Sequence, residues 1–171
     1  MATPPPQRPP ILVLGLGNDL MGDDALGPTV VRELRQRMSH PAIRFQVTAE
    51  SGLRLLDHLE GHHYLLVMDV LEHPSHAPGT LLEYPLEGLP SRTMAMSLHG
   101  MGLKEVLETG RTLGLTVPKE GRILVVVARE LRTVGAPMSP EVARAVPRVV
   151  RRAQEVLTQW LKNASSWNRA S

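Results

Sequence analysis

The chain has 171 residues, 42% of them apolar and 21% charged, a length that favours one domain and a composition that excludes disorder, collagen or coiled coil as whole-chain descriptions. It contains no cysteine, so disulfide frameworks, thiolate zinc sites, iron–sulfur clusters and cysteine nucleophiles are ruled out together, and any metal must be held by Asp, Glu, His or backbone oxygen. A net charge of only +2 and 3% aromatic residues supply neither the basic excess nor the stacking platform that would point to a nucleic-acid partner.

The first ten residues are rich in proline and lack the pattern of a secretory signal or a transit peptide. They are expected to form a disordered leader (1–10), followed by a single α/β domain over 11–162 and a flexible tail over 163–171. No apolar run approaches the ~20 residues needed to span a bilayer, so no membrane association is expected.

Residues 11–16 are apolar on both faces, as a doubly covered central strand requires. Leu26, Val30, Val31, Leu34 and Met38 then recur at helical spacing with charged residues mostly opposite, which predicts a first helix. Residues 43–47 alternate with period two and predict a half-exposed strand nearer an edge. Leu53, Leu55, Leu56 and Leu59 predict a short helix that Gly61 stops.

Residues 64–68 predict a second buried strand closed by Asp69, and residues 79–84 a fourth strand lying antiparallel at an edge. Leu103, Val106, Leu107 and Leu113 mark a third helix in which Gly110 is a weak point. Residues 122–128 predict the last strand. Ser139 and Pro140 then open a long final helix that Pro147 is expected to bend. Short apolar runs alternating with helices predict a three-layer α/β sandwich: a mostly parallel, twisted five-stranded sheet with one antiparallel edge strand and helices on both faces.

The turn after the first strand carries Gly15, Gly17, Gly22 and Gly27 around Asn18, Asp19, Asp23 and Asp24. A glycine-rich turn here suggests a phosphate cradle, but Leu20 stands where the dinucleotide fingerprint needs glycine, and Asp23 and Asp24 stand where a P-loop needs Lys and Ser or Thr. Two carboxylates repel phosphate and attract a cation, which disfavours a dinucleotide-binding enzyme. Asp23 is expected to cap the first helix, leaving Asp24 to face the cleft.

Asp69, at the carboxyl end of the second buried strand, meets Asp24 on one rim if the two strands are neighbours. Of seven histidines, His40, His58, His62, His63, His73 and His76 are expected at the surface. His99 differs, because it directly precedes the third helix and would stand at the sheet rim. Glu50 or Ser51, in the 48–52 turn, is expected to cap the second helix. Arg144, Arg148, Arg151 and Arg152 read as a solvated face of the last helix, with docking of an acidic patch as the minority alternative. Met94, Met96 and Met101 could offer a peptide an adaptable surface or simply belong to the core.

Taken in order, Gly17-Asn18-Asp19-Leu20-Met21-Gly22-Asp23-Asp24, then Asp69, Pro78-Gly79-Thr80, and Ser97-Leu98-His99 with Gly102-Leu103 resemble the pattern of the hydrogenase maturation proteases. The resemblance runs from Ile11 to about Trp160. It implies a nickel-dependent endopeptidase that removes a C-terminal extension from the precursor of a [NiFe] hydrogenase large subunit after nickel insertion. It also implies Asp24, Asp69 and His99 as metal ligands and site residues. Nickel would arrive with the substrate, with zinc or cadmium able to replace it in a crystal. Members are often classed as aspartic-type, although nothing here resembles the paired Asp-Thr/Ser-Gly loops of pepsin-like enzymes. Many relatives carry a Gly-Gly-Thr turn where this chain has Thr48-Ala49-Glu50-Ser51-Gly52, a departure that bears on which hydrogenase is served. A cytoplasmic monomer is expected, and a non-catalytic nickel-binding accessory protein on the same fold is the alternative.

Overall fold

The computed structural model describes residues 9–87, 102–129, 131 and 133–164. Five strands form one sheet: β1 (Ile11–Leu16), β2 (Ile43–Thr48), β3 (Tyr64–Leu71), β4 (Leu81–Pro85) and β5 (Glu120–Val127). Their order is β2-β1-β3-β5-β4. β1 pairs in parallel with β2 and β3, β3 pairs in parallel with β5, and β4 closes the edge antiparallel to β5. The helices are α1 (Leu26–Arg37), α2 (Leu56–Leu59), α3 (Leu103–Thr112) and α4 (Pro140–Ala164), with single 3-10 turns over Gly22–Ala25 and Gly52–Leu55.

Strand alternation divides the core between two faces. Ile11 and Val13 of β1, Leu66, Met68 and Val70 of β3, and Leu124 and Val126 of β5 pack with α1 and α4. Leu12 and Leu14, Leu65 and Val67, and Ile123 and Val125 pack with α2 and α3. This is the expected three-layer sandwich. Side chains such as Leu14, Leu66 and Leu157 are completely buried, and each contributes roughly 1.5–3 kcal/mol of apolar transfer.

Several expectations about the elements change. β3 continues past Asp69 to Leu71, because Val70 and Leu71 extend the ladder opposite Val126 and Val127. Gly110 is a packing requirement and no weak point: a Cβ there would stand 2.8 Å from Leu56 Cδ2 and 2.9 Å from Val117 Cγ1, so glycine lets α3 approach α2. Leu113 and Leu53, assigned to apolar helix faces, lie just past α3 and in the turn before α2, and both are exposed. α4 runs on through Pro147.

Two histidines assigned to the surface are not there. His62 is completely buried and donates from Nδ1 to the Pro9 carbonyl at 2.6 Å, while the Pro10 carbonyl accepts from the His63 and Tyr64 amides. His58 is largely covered and is held between Gln46 and Glu50, its Nε2 2.7 Å from Glu50 Oε2. Glu50 therefore engages His58, and neither it nor Ser51 gives the second helical segment a side-chain cap. The arginine stripe is also partly recruited. Arg152 makes a two-pronged ion pair with Glu83 of β4, and Arg148 donates to the Gly79 carbonyl, so both tie α4 to the edge strand.

Candidate active site

The strand order reverses between β1 and β3, since the chain leaves β1 toward β2 on one side and returns to β3 on the other. At such a switch point the loops diverge and open a crevice at the carboxyl ends of the strands. Asp24 follows β1 and Asp69 lies near the end of β3, so the topology delivers both acids to this crevice.

Close backbone approach lets the turn after β1 fold down onto the sheet. A Cβ at Gly27 would strike the Leu16 carbonyl oxygen and come within 2.7 Å of the Met68 carbonyl oxygen, so only glycine allows α1 to start this near β1 and β3. Gly17 has φ of 133°, and a Cβ there would collide with the Asp24 backbone carbonyl. Asn18 then organises the turn: its amide donates to Asp24 Oδ2 at 2.8 Å, and its side-chain oxygen accepts from the Leu20 amide at 2.9 Å. The Asp24 carboxylate is thus aimed by backbone geometry.

Asp69 is only 8% exposed, and its Oδ1 accepts from the Val70 amide at 2.8 Å. Burial pushes its pKa well above the ordinary carboxylate range; the Val70 bond opposes the shift, and the negative charge of Asp24 adds to it. The Asp24 contribution places the two carboxylates close enough for their charges to interact. An environment that penalises two neighbouring negative charges is relieved by a proton or by a divalent cation, and carboxylate oxygens suit the latter. The donor set therefore fits a metal by charge and ligand type. Among the described residues no three acidic or histidine side chains form a ready metal cluster, and His99, with Met94, Met96 and Met101, lies outside the described residues.

Asp23 has a different role from the one expected. No side-chain bond caps the Gly22–Ala25 turn or α1. Instead Asp23, 2% exposed, reaches across the molecule: Oδ1 accepts from the Ser139 amide at 2.7 Å, and Oδ2 accepts from the Arg129 amide at 2.9 Å and from Ser139 Oγ at 3.1 Å. It fastens the rim turn to the exit of β5 and the entrance of α4. These partners are 106 and 116 residues away, so no local pattern could have revealed the role. The Ser139 hydroxyl also accepts from the Val142 amide at 3.4 Å, which supports its predicted place at the start of the last helix.

The fold defines an α/β protein with two acidic residues, Asp24 and Asp69, at the switch point of its sheet. The family model for the HycI hydrogenase maturation proteases matches residues 28–156, a stretch that includes Asp69 and His99 and begins just after Asp24. The chain belongs to the hydrogenase maturation protease family. It is 31% identical over 153 residues to the hydrogenase expression/formation protein HupD of Bradyrhizobium diazoefficiens, covering 88% of this chain and 79% of that one. It is 32% identical over 123 residues to the hydrogenase 2 maturation protease of Escherichia coli, covering 71% of this chain and 74% of the relative. The solved structure of the hydrogenase maturating endopeptidase HybD from E. coli superposes with a TM-score of 0.72 at 29% identity, over 87% of this chain and 92% of that one.

Proposed function

We propose that this chain is the endopeptidase that removes a C-terminal extension from the precursor of a [NiFe] hydrogenase large subunit once nickel has been inserted. The reading is supported by the buried Asp69 at the switch point, whose charge is disfavoured by burial and by the charge of Asp24, an arrangement that a cation would relieve. Nickel enters as part of the substrate and acts as the recognition signal. Asp24, Asp69 and His99 dock onto it and so place the scissile bond at the rim. Cleavage then uses water, activated by a carboxylate acting as general base or by polarisation of the scissile carbonyl at the metal. The aspartic-type label refers here to Asp24 and Asp69 as ligand and acid–base groups, without a proton shared between them. The enzyme works as a cytoplasmic monomer. No helix among the described residues is long and apolar enough to cross a membrane.

The test incubates the protein with nickel-loaded and nickel-free precursor and follows the mass of the large subunit. The nickel-loaded precursor loses a C-terminal peptide and the nickel-free one stays intact. Folded Asp69→Asn and His99→Ala variants leave both intact. Processing that persists in both variants refutes the site. Nickel retention without any cleavage by the wild-type chain supports the accessory-protein alternative.

A further inference from the structure

We infer that Leu20 and Val134 form an apolar seat for the polypeptide that flanks the scissile bond; this rests on the peptidase reading above. Among the described residues, five large apolar side chains are exposed: Leu20 at 66%, Val47 at 40%, Leu53 at 49%, Leu113 at 66% and Val134 at 72%. Four of them belong to the carboxyl end of the sheet. Leu20 lies in the turn after β1, Val47 is the penultimate residue of β2, Leu53 lies in the turn after β2, and Val134 lies in the connection after β5. Leu113 stands at the opposite end, beside a turn whose Thr116 carbonyl accepts from the Gly61 amide ahead of β3.

Hydrogen bonds join the two turns of the seat. The Leu20 amide is bonded to the Asn18 side chain at 2.9 Å, and the Leu20 carbonyl accepts from the Gly135 amide at 2.7 Å, so the Leu20 and Val134 turns are joined. The same Asn18 holds Asp24 through its own amide, which makes the seat continuous with the acidic crevice. The nearest charge in that turn, Asp19, is neutralised by a two-pronged pair with Arg32 at 2.8 and 2.9 Å. A water-facing apolar shoulder whose neighbouring Asp19 is paired suits apolar side chains of a partner. Continuity with the crevice selects the occupant, because a peptidase must hold the chain on either side of the bond it cuts. Neither Leu20 nor Val134 contributes to the core, so removing their apolar surface tests docking without testing folding.

The experiment measures processing of nickel-loaded precursor by the wild-type chain, the double variant Leu20→Ser with Val134→Ser, and the control Leu113→Ser. The expected result is a KM raised about tenfold in the double variant with kcat and thermal midpoint retained, the loss of roughly one apolar contact's binding energy. Leu113→Ser should match the wild type. An unchanged KM in the double variant, with the wild type active, overturns the seat alone. If the wild type is also a concentration-dependent dimer that the double variant abolishes at unchanged KM, the patch belongs to self-association and the proposal is again overturned. A wild-type chain that leaves the precursor uncut overturns both the seat and the peptidase reading.

Discussion

Asp23 and Asp24 are neighbours in the chain, yet they serve two regions with opposite electrostatic logic. Asp23 is buried among three donors that satisfy its charge, so it binds distant segments into one body. Asp69 is nearly as buried but among the described residues accepts from one amide, that of Val70, and is influenced by the charge of Asp24. A buried carboxylate rich in donors acts as structure, whereas one poor in donors and facing another acid holds a demand that a ligand can meet.

The sharpest way to break this contrast is to neutralise each side separately. Asp24→Asn should lower the rate of precursor processing by about a thousandfold, on the order of 4 kcal/mol, with a thermal midpoint close to that of the wild type. Asp23→Ala should instead destabilise the fold by about 3 kcal/mol in urea denaturation, because it strands two backbone amides and a hydroxyl. If Asp24→Asn proved the less stable of the two, the division of labour would be wrong.

The pH dependence of stability sharpens the same contrast. Asp69 has a raised folded-state pKa, so the folded protein binds this proton more tightly than the unfolded chain. The resulting stabilisation is fully present below the ordinary carboxylate value and is lost as pH rises through the folded one. Asp69→Asn should therefore gain stability relative to the wild type as the solution becomes neutral, and parallel denaturation curves across that range check it. The smallest effect belongs to the edge. Glu83 has its pKa lowered chiefly by its hydrogen bonds from Arg152, so that pair contributes above the ordinary carboxylate value and fades as pH falls through the lowered one. Its partly exposed setting limits Arg152→Ala to about 1 kcal/mol or less at neutral pH, a loss that should vanish in acid.

Periodicity revealed the layers. β1 and β3 are continuous apolar runs because both faces are covered, whereas β2, at an edge, alternates in sequence yet leaves Val47 exposed and Gln46 half-buried. The placement of Asp24 and Asp69 after neighbouring parallel strands, close enough for their charges to interact, was also legible, since it needs only that pairing and the strands' carboxyl ends. The tether of Asp23, the burial of His62 and the clasp of His58 by Glu50 were not legible. Each depends on a partner that only the tertiary fold brings near, and a charged or polar residue in a turn looks alike whether it faces water or a distant amide. Gly110 misled for the same reason: propensity describes an isolated helix, while the Leu56 and Val117 side chains decide what fits there.

The reach of Asp23 also ties the rim turn to the last elements of the chain. Its donors, Arg129 and Ser139, emerge more than a hundred residues after it, at the exit of the last strand and the entrance of the last helix. A nascent chain that already carries Asp24 and Asp69 still lacks the brace beneath their turn. The turn that carries Asp24 is therefore braced only when the exit of the last strand and the start of the last helix are in place.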